Sequence, residues 1–257
     1  MKPPQLHAVD SGGAGEAVVL VHAIGMDHRM WDALAPFLAR QLRVVRVDLR
    51  GHGKSPVPAR PYALEDLAED VVAVLDRLSI DKAHFVGLSL GGMVGQAFAI
   101  DHAQRLGRLV LANTTSSYGP EGRSMWQARA KAVEGGGLAA IRDMVLSRYF
   151  SDEFRGQHAA EVAEVGRRFL ATPVTGYLGC CDAIADLDFT KDLSRIHART
   201  FVIAGEKDVG TPPAMSEAIA ARIPGARLSV IPGAAHLSAV EKPSEFNALV
   251  RDFLASP

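Results

Sequence analysis

The sequence predicts an α/β chain: a mostly parallel sheet flanked by helices, with an inserted helical lid. Three observations carry this. Short apolar runs alternate with helix-spaced stretches over residues 1–115, the alternation stops over residues 116–197 where only helical spacing is found, and it resumes from residue 198 to the end. The core is therefore expected in residues 1–115 and 198–257, and the lid in residues 116–197.

Each element has its own signal. Residues 17–21 (A-V-V-L-V) form a continuous apolar run, as a strand covered on both faces requires. Residues 43–48 (R-V-V-R-V-D) read as a second strand, running into the turn-rich stretch Gly51-His52-Gly53-Lys54-Ser55-Pro56. Over residues 64–78 the apolar residues Leu64, Leu67, Val71, Val74, Leu75 and Leu78 fall on one helical face. A strand at residues 84–87, a helix over residues 90–102 and a strand at residues 109–112 follow. In the lid, helical spacing covers residues 125–133, 138–150, 159–170 and 177–184, punctuated by Gly135-Gly136-Gly137 and Thr172-Pro173. Strands return at residues 200–204 and 227–231, and a helix closes the chain over residues 243–254.

Composition narrows the function classes. The chain has 257 residues, 48% hydrophobic and 22% charged, with 28 basic against 29 acidic side chains. That balance excludes a disordered chain and offers no electrostatic reason to bind nucleic acid or an anionic membrane. No apolar run reaches the roughly 18 residues of a membrane span, and the opening Met1-Lys2-Pro3-Pro4-Gln5 leads into no signal-peptide core. The only two cysteines, Cys180 and Cys181, are neighbours. Their Cα atoms sit about 3.8 Å apart, closer than ordinary disulfides allow. A reduced, cytoplasmic protein is expected, with no metal site and no cofactor, acting on a small molecule. Its composition leaves homo-oligomer formation open.

Gly87-Leu88-Ser89-Leu90-Gly91 fits G-x-S-x-G. With 24 glycines in the chain the pentapeptide alone is weak; its setting, after an apolar strand and at the start of a helix, is that of a nucleophile elbow. The competing reading of Ser89 is an ordinary helix cap. A serine hydroxyl needs an adjacent base at neutral pH. Of nine histidines, His236 lies in the loop after the strand at residues 227–231, where a parallel sheet places its site residues. His7, His102, His158 and His197 read as surface residues, His84 as lying at the far edge of the sheet, and His52 as part of a turn. Asp208, in the loop after the strand at residues 200–204, is the expected orienting acid, with Glu206 and Asp48 as competitors and a turn or cap role as its plain alternative. The order Ser89, Asp208, His236 matches one serine-hydrolase architecture and not the others. An oxyanion would be met by the amide of Leu90 and, from the loop His22-Ala23-Ile24-Gly25, the amide of Ile24. His22 is expected to shape that loop without transferring protons. Met125 and Trp126, on the first lid helix, are candidates for the substrate pocket. Arg129, one turn beyond Met125, is the candidate carboxylate partner, with Arg123 as its rival.

With these motifs the chain resembles the α/β hydrolases over essentially its whole length, and so an α/β-hydrolase fold is expected. More specifically it resembles 3-oxoadipate enol-lactonases. The stretches that carry this are Met30-Trp31-Asp32, Gly87 to Gln96 (G-L-S-L-G-G-M-V-G-Q), Leu111-Ala112-Asn113-Thr114, Ala171-Thr172-Pro173 with Gly176-Tyr177 and Cys180-Cys181-Asp182-Ala183-Ile184, and Ala234-Ala235-His236-Leu237-Ser238. The resemblance implies ring opening of an unsaturated lactone bearing a carboxylate, within aromatic degradation. Some α/β hydrolases place the acid after the strand preceding the lid, but that position here is Asn113, which is not a carboxylate. The chain departs from the enol-lactonases at His22-Ala23, where Asn-Ser is usual, which alters a side chain expected beside the carbonyl pocket. A general carboxylesterase, a perhydrolase and a ligand-binding sensor on the same fold are the rival readings. Ser89 in the nucleophile position excludes the branches that use a carboxylate nucleophile.

Overall fold

In the computed structural model, which describes residues 3–256, seven strands form one sheet. They are β1 (Ala8–Asp10), β2 (Ala17–Val21), β3 (Arg43–Val47), β4 (Ala83–Leu88), β5 (Leu106–Ala112), β6 (Thr200–Gly205) and β7 (Arg227–Ile231). The spatial order is β1-β3-β2-β4-β5-β6-β7; β1 pairs antiparallel with β3 and every other pair is parallel. Residues 1, 2 and 257, the outermost ends of the two expected core segments, lie outside the described residues.

The helices are α1 (Ala35–Leu38), α2 (Leu64–Arg77), α3 (Leu90–Asp101), α4 (Gly119–Gly136), α5 (Arg142–Tyr149), α6 (Asp152–Gln157), α7 (Ala159–Leu170), α8 (Val174–Ala185), α9 (Pro213–Ala220), α10 (Ser238–Glu241) and α11 (Pro243–Ala255). Helices α4 to α8 all lie between β5 and β6, a stretch that contributes no strand to the sheet. Among the described residues no helix is long and apolar enough to cross a membrane.

Burial follows from composition. Every residue of β2 and β4 is buried, as central strands covered on both faces require; β2 is an unbroken apolar run, and β4 carries one polar residue, His84. Helix α2 buries one face through Leu64, Leu67, Val71, Val74 and Leu75 and presents its acidic face to solvent. Helix α3 is apolar all round and is buried from Leu90 to Ala99, packed on β4 and β5. β7, at the edge, keeps Arg227 and Val230 exposed.

The sheet order positions the site. The chain leaves β2 for β3 on one side of it, then returns for β4 on the other. The loops after β2 and β4 therefore diverge from adjacent strand ends and open a crevice at the carboxyl edge of the sheet.

Several elements differ from their sequence expectation. The first lid helix starts at Gly119, not residue 125, because Pro120 fits the first turn of a helix and Glu121 suits its positive end. It also runs through Gly135 and Gly136, and stops only at Gly137, whose φ of +65° no helix accommodates. The expected helix at 138–150 divides into a 3₁₀ turn, Leu138–Ile141, and α5. β1, α1, α6, α9 and α10 carry no periodic signal long enough to read. Helix α6 begins where the Ser151 hydroxyl accepts from the Phe154 N–H at 3.2 Å.

Candidate active site

Ser89 joins β4 to α3 with φ +56° and ψ −115°, a backbone region that side-chain-bearing residues rarely occupy. The glycines on either side make this turn sterically feasible. A Cβ on Gly87 would lie 2.1 Å from the Gly91 carbonyl oxygen, and one on Gly91 would lie 2.0 Å from that of Val21. The Ser89 N–H donates to Ala112 O at 2.9 Å, and its carbonyl accepts from Thr114 Oγ1 at 2.8 Å. Although Ser89 occupies the cap position of α3, its side chain makes no capping hydrogen bond.

His236 follows β7 and is nearly buried, and its Nδ1 lies 2.8 Å from Asp208 Oδ2. With the Nδ1 hydrogen facing the carboxylate, Nε2 is left as the basic nitrogen. Asp208, in the loop after β6, also accepts from the N–H groups of Gly210 and Thr211, from Thr211 Oγ1 at 2.7 Å and from Asn113 Nδ2 at 2.9 Å. Burial alone would raise its pKa. Facing His236 and these donors outweigh burial and hold the carboxyl at about 2, so it is ionised at neutral pH. The competing acids are elsewhere: Glu206 accepts from the Gly233 N–H at 2.8 Å, and Asp48 accepts from the N–H groups of His28 and Lys54.

Ile24, Ser89, Met125, Trp126, Arg129 and His236 line one cavity at the carboxyl edge of the sheet, together with Tyr118, Val145, Arg148, Tyr149 and Gly210. It is narrow, about 30 Å³, and His236 is the one histidine on its wall. Among the described residues neither the Ile24 N–H nor the Leu90 N–H donates to another group, and the second stands at the start of α3.

Two buried histidines build the loop that carries Ile24. His52 Nε2 accepts from the Gly25 N–H at 3.0 Å; His22 Nε2 accepts from the Leu49 N–H at 3.0 Å, and its Nδ1 donates to Ala23 O at 2.8 Å. His22 is expected to shape this loop, and a side chain of His22-Ala23 to stand beside the carbonyl pocket. Both ring nitrogens of His22 are engaged by backbone, and neither it nor Ala23 lines the cavity.

Burial pushes the His52 pKa down to about 3 from its ordinary 6.5, and lowers that of His22 as well. In the unfolded chain both rings protonate below about pH 6.5, so their contribution to stability is present above that pH. It drains as pH falls below that, for His52 down to about 3, at up to about 1.4 kcal/mol per pH unit for each ring. Asp208 adds a loss only below about pH 4, between its ordinary value and about 2. The urea unfolding midpoint is expected to drop between pH 7.5 and 5.5, with His52→Gln flattening the slope. Equal midpoints at the two pH values would contradict the neutral-histidine assignment.

The candidates on α4 divide. Trp126 is buried and Met125 sits at the rim, 36% exposed. Arg123 pairs with Asp186 at 2.5 Å on the exposed side of α4 and does not reach the cavity. Arg129 stacks over Trp126 at 4.7 Å and Tyr177 at 5.5 Å, with no carboxylate partner among the described residues. Its Nε and Nη2, Trp126 Nε1 and Tyr177 Oη are all buried without a hydrogen-bond partner.

Arg148, Tyr149 and Thr211 carry no role in the sequence reading, and Asn113, excluded there as an acid, serves as a donor to Asp208. Val145, Arg148 and Tyr149 share one face of α5, and that spacing was the available signal. Among the described residues the one group with metal-ligand spacing is His7, His28 and Asp48, and none of these lines the cavity. Asp48 is already occupied by backbone donors and by His28 Nδ1 at 2.9 Å.

A strained serine, a histidine–carboxylate pair and free backbone donors meet at a sheet end, and comparison with known proteins agrees: the model of the α/β hydrolase family matches residues 18–249. The chain is an α/β hydrolase. Two curated relatives from Acinetobacter baylyi are named 3-oxoadipate enol-lactonases. One is 34% identical over 234 residues, covering 91% of this chain and 86% of the relative; the other is 36% identical over 240 residues, covering 93% and 89%. Among solved structures, the enol-lactonase from Burkholderia xenovorans LB400 is 35% identical, covers 98% of this chain and 96% of its own, and superposes with a TM-score of 0.94. This hydrolase thus shares its fold and most of its length with enol-lactonases.

Proposed function

We propose that this hydrolase cleaves a carboxylic ester or lactone through an acyl-enzyme on Ser89, and that its substrate is a carboxylate-bearing enol-lactone of the 3-oxoadipate type. His236 Nε2 takes the Ser89 proton as Oγ attacks the carbonyl. The Ile24 and Leu90 amides meet the oxyanion, and Asp208 stabilises the imidazolium. The ring C–O bond then breaks and the enolate oxygen takes the proton from His236. The enol relaxes to a ketone, which pulls ring opening forward. Water activated by His236 completes hydrolysis.

The observation that carries the substrate class is Arg129, on the same cavity wall as Ser89 and His236, whose Nε and Nη2 are buried with no hydrogen-bond acceptor and which has no carboxylate partner among the described residues. Buried N–H donors without an acceptor are costly, and a bound carboxylate satisfies two of them at once with paired hydrogen bonds. The names of the Acinetobacter and Burkholderia relatives support the same reading, and aromatic degradation is the setting it implies. The unpaired thiols of Cys180 and Cys181 suit a reducing, cytoplasmic compartment.

Arg129→Ala is expected to raise KM for the carboxylated enol-lactone by about 10- to 100-fold, matching the loss of a charge-assisted hydrogen bond, while leaving KM for p-nitrophenyl acetate within about twofold. An unchanged KM for the enol-lactone would remove Arg129 from the proposal. Arg148→Ala, measured alongside, shows whether the second cavity arginine shares the task.

A further inference from the structure

Tyr149 ends α5 and is 3% exposed. It makes three separate contacts with the catalytic loops. Its hydroxyl donates to the Ile24 carbonyl. Its ring stacks on the His236 imidazole, with centroids 5.8 Å apart and planes 18° apart. Its own carbonyl accepts from the Leu237 N–H at 2.9 Å.

The first contact matters because of what lies at the other end of the same peptide. The unit joining Ile24 to Gly25 has its C=O held by Tyr149 and its N–H held by His52 Nε2. A peptide plane gripped at both ends cannot rotate; the preceding plane, which carries the Ile24 N–H, has its Ala23 carbonyl bonded by His22 Nδ1 and by the Met26 N–H, so Ile24 is held between two fixed planes on the cavity wall. The second and third contacts act on the histidine. His236 is flanked by Leu237, bound to the Tyr149 carbonyl, and by Ala235, whose N–H donates to Glu241 Oε2 at 2.8 Å. Glu241 in turn accepts from the Ser151 hydroxyl, two residues beyond Tyr149. One short piece of the lid thus grips the histidine loop on both sides and the oxyanion loop at its centre.

We propose that Tyr149 is a positioning residue which makes the lid part of the catalytic centre: its hydroxyl sets the oxyanion donor of Ile24, and its ring and carbonyl set His236. This rests on the roles given above to Ser89, His236 and Ile24. The lid therefore does more than enclose substrate. Chemistry runs only while the Tyr149 end of α5 is seated on both loops, and disturbing it lowers kcat without loosening substrate binding.

The test uses Tyr149→Phe and Tyr149→Leu in the full chain with p-nitrophenyl acetate, which has no carboxylate for Arg129. Phenylalanine keeps the stacking and the backbone contact and loses only the hydroxyl; leucine loses the ring as well. The expected result is a graded fall in kcat, about tenfold for Phe and about 100-fold for Leu, with KM within about twofold of the wild type. Thermal unfolding identifies folded protein, and Tyr149→Phe, the nearly isosteric change, carries the test if the leucine variant does not fold. Wild-type kcat in folded Tyr149→Phe, equal falls in two folded variants, or a loss carried by KM overturns the proposal. Failure of the underlying triad would show separately, as turnover retained by Ser89→Ala whatever the Tyr149 variants do.

Discussion

Ser89→Ala is expected to lower kcat for both an enol-lactone and a p-nitrophenyl ester by about six orders of magnitude, the loss typical of removing a triad nucleophile. The change deletes one oxygen and should leave the fold intact. The elbow backbone is fixed by Ala112 O and Thr114 Oγ1, neither of which touches the Ser89 side chain. The side chain makes no capping bond, so no helix-cap energy is lost with it. Steady-state turnover and the urea midpoint, measured on one preparation, check both halves. Retained turnover in a folded variant would falsify the assigned chemistry.

Asp208→Asn comes next in size, with an expected loss of about 10⁴ in kcat. The native carboxylate is surrounded by donors: Gly210 N–H and Thr211 N–H on Oδ1, and His236 Nδ1, Thr211 Oγ1 and Asn113 Nδ2 on Oδ2. An amide must turn its NH₂ toward one of these sets. Facing Oδ1's donors, it opposes two backbone N–H groups. Facing Oδ2's, it meets His236 and favours the tautomer that carries its proton on Nε2, which cannot take the Ser89 proton. The second arrangement removes the base while leaving the backbone turn intact. Turnover at pH 8 and the rate of fluorophosphonate labelling should fall together. A variant within tenfold of wild type would show that Asp208 does not orient His236.

How much of this was legible in the sequence depends on the range over which each feature is determined. β2 and α2 are legible because their burial is written into consecutive residues: an unbroken apolar run for the central strand, one apolar face for α2. That Ser89 and His236 share one cavity, with Asp208 against His236, is legible because each follows a strand, and a parallel sheet gathers such loops at one edge. Helix α4 departs from its expected bounds at both ends because Pro120 suits a first turn and two of the three glycines at 135–137 lie inside the helix.

The residues that escaped notice are those whose partners are distant. Tyr149 meets Ile24 across 125 positions, and no local pattern announces the contact. Asn113 was set aside for lacking a carboxylate, yet it donates to the carboxylate that is present and accepts from Ser238 Oγ at 2.5 Å. Arg123 and Arg129 lie on the same helix, and only its packing against α8 decides that the first faces Asp186 and the second the cavity.

Whether a covalent bond forms at residue 89 is tested most directly by intact-mass spectrometry on rapidly quenched protein during turnover of an activated ester, followed by peptide mapping. The expected result is one added acyl group on the peptide containing Ser89, appearing in a burst and absent from Ser89→Ala. Turnover with no adduct, or with the acyl group on another side chain, would contradict it.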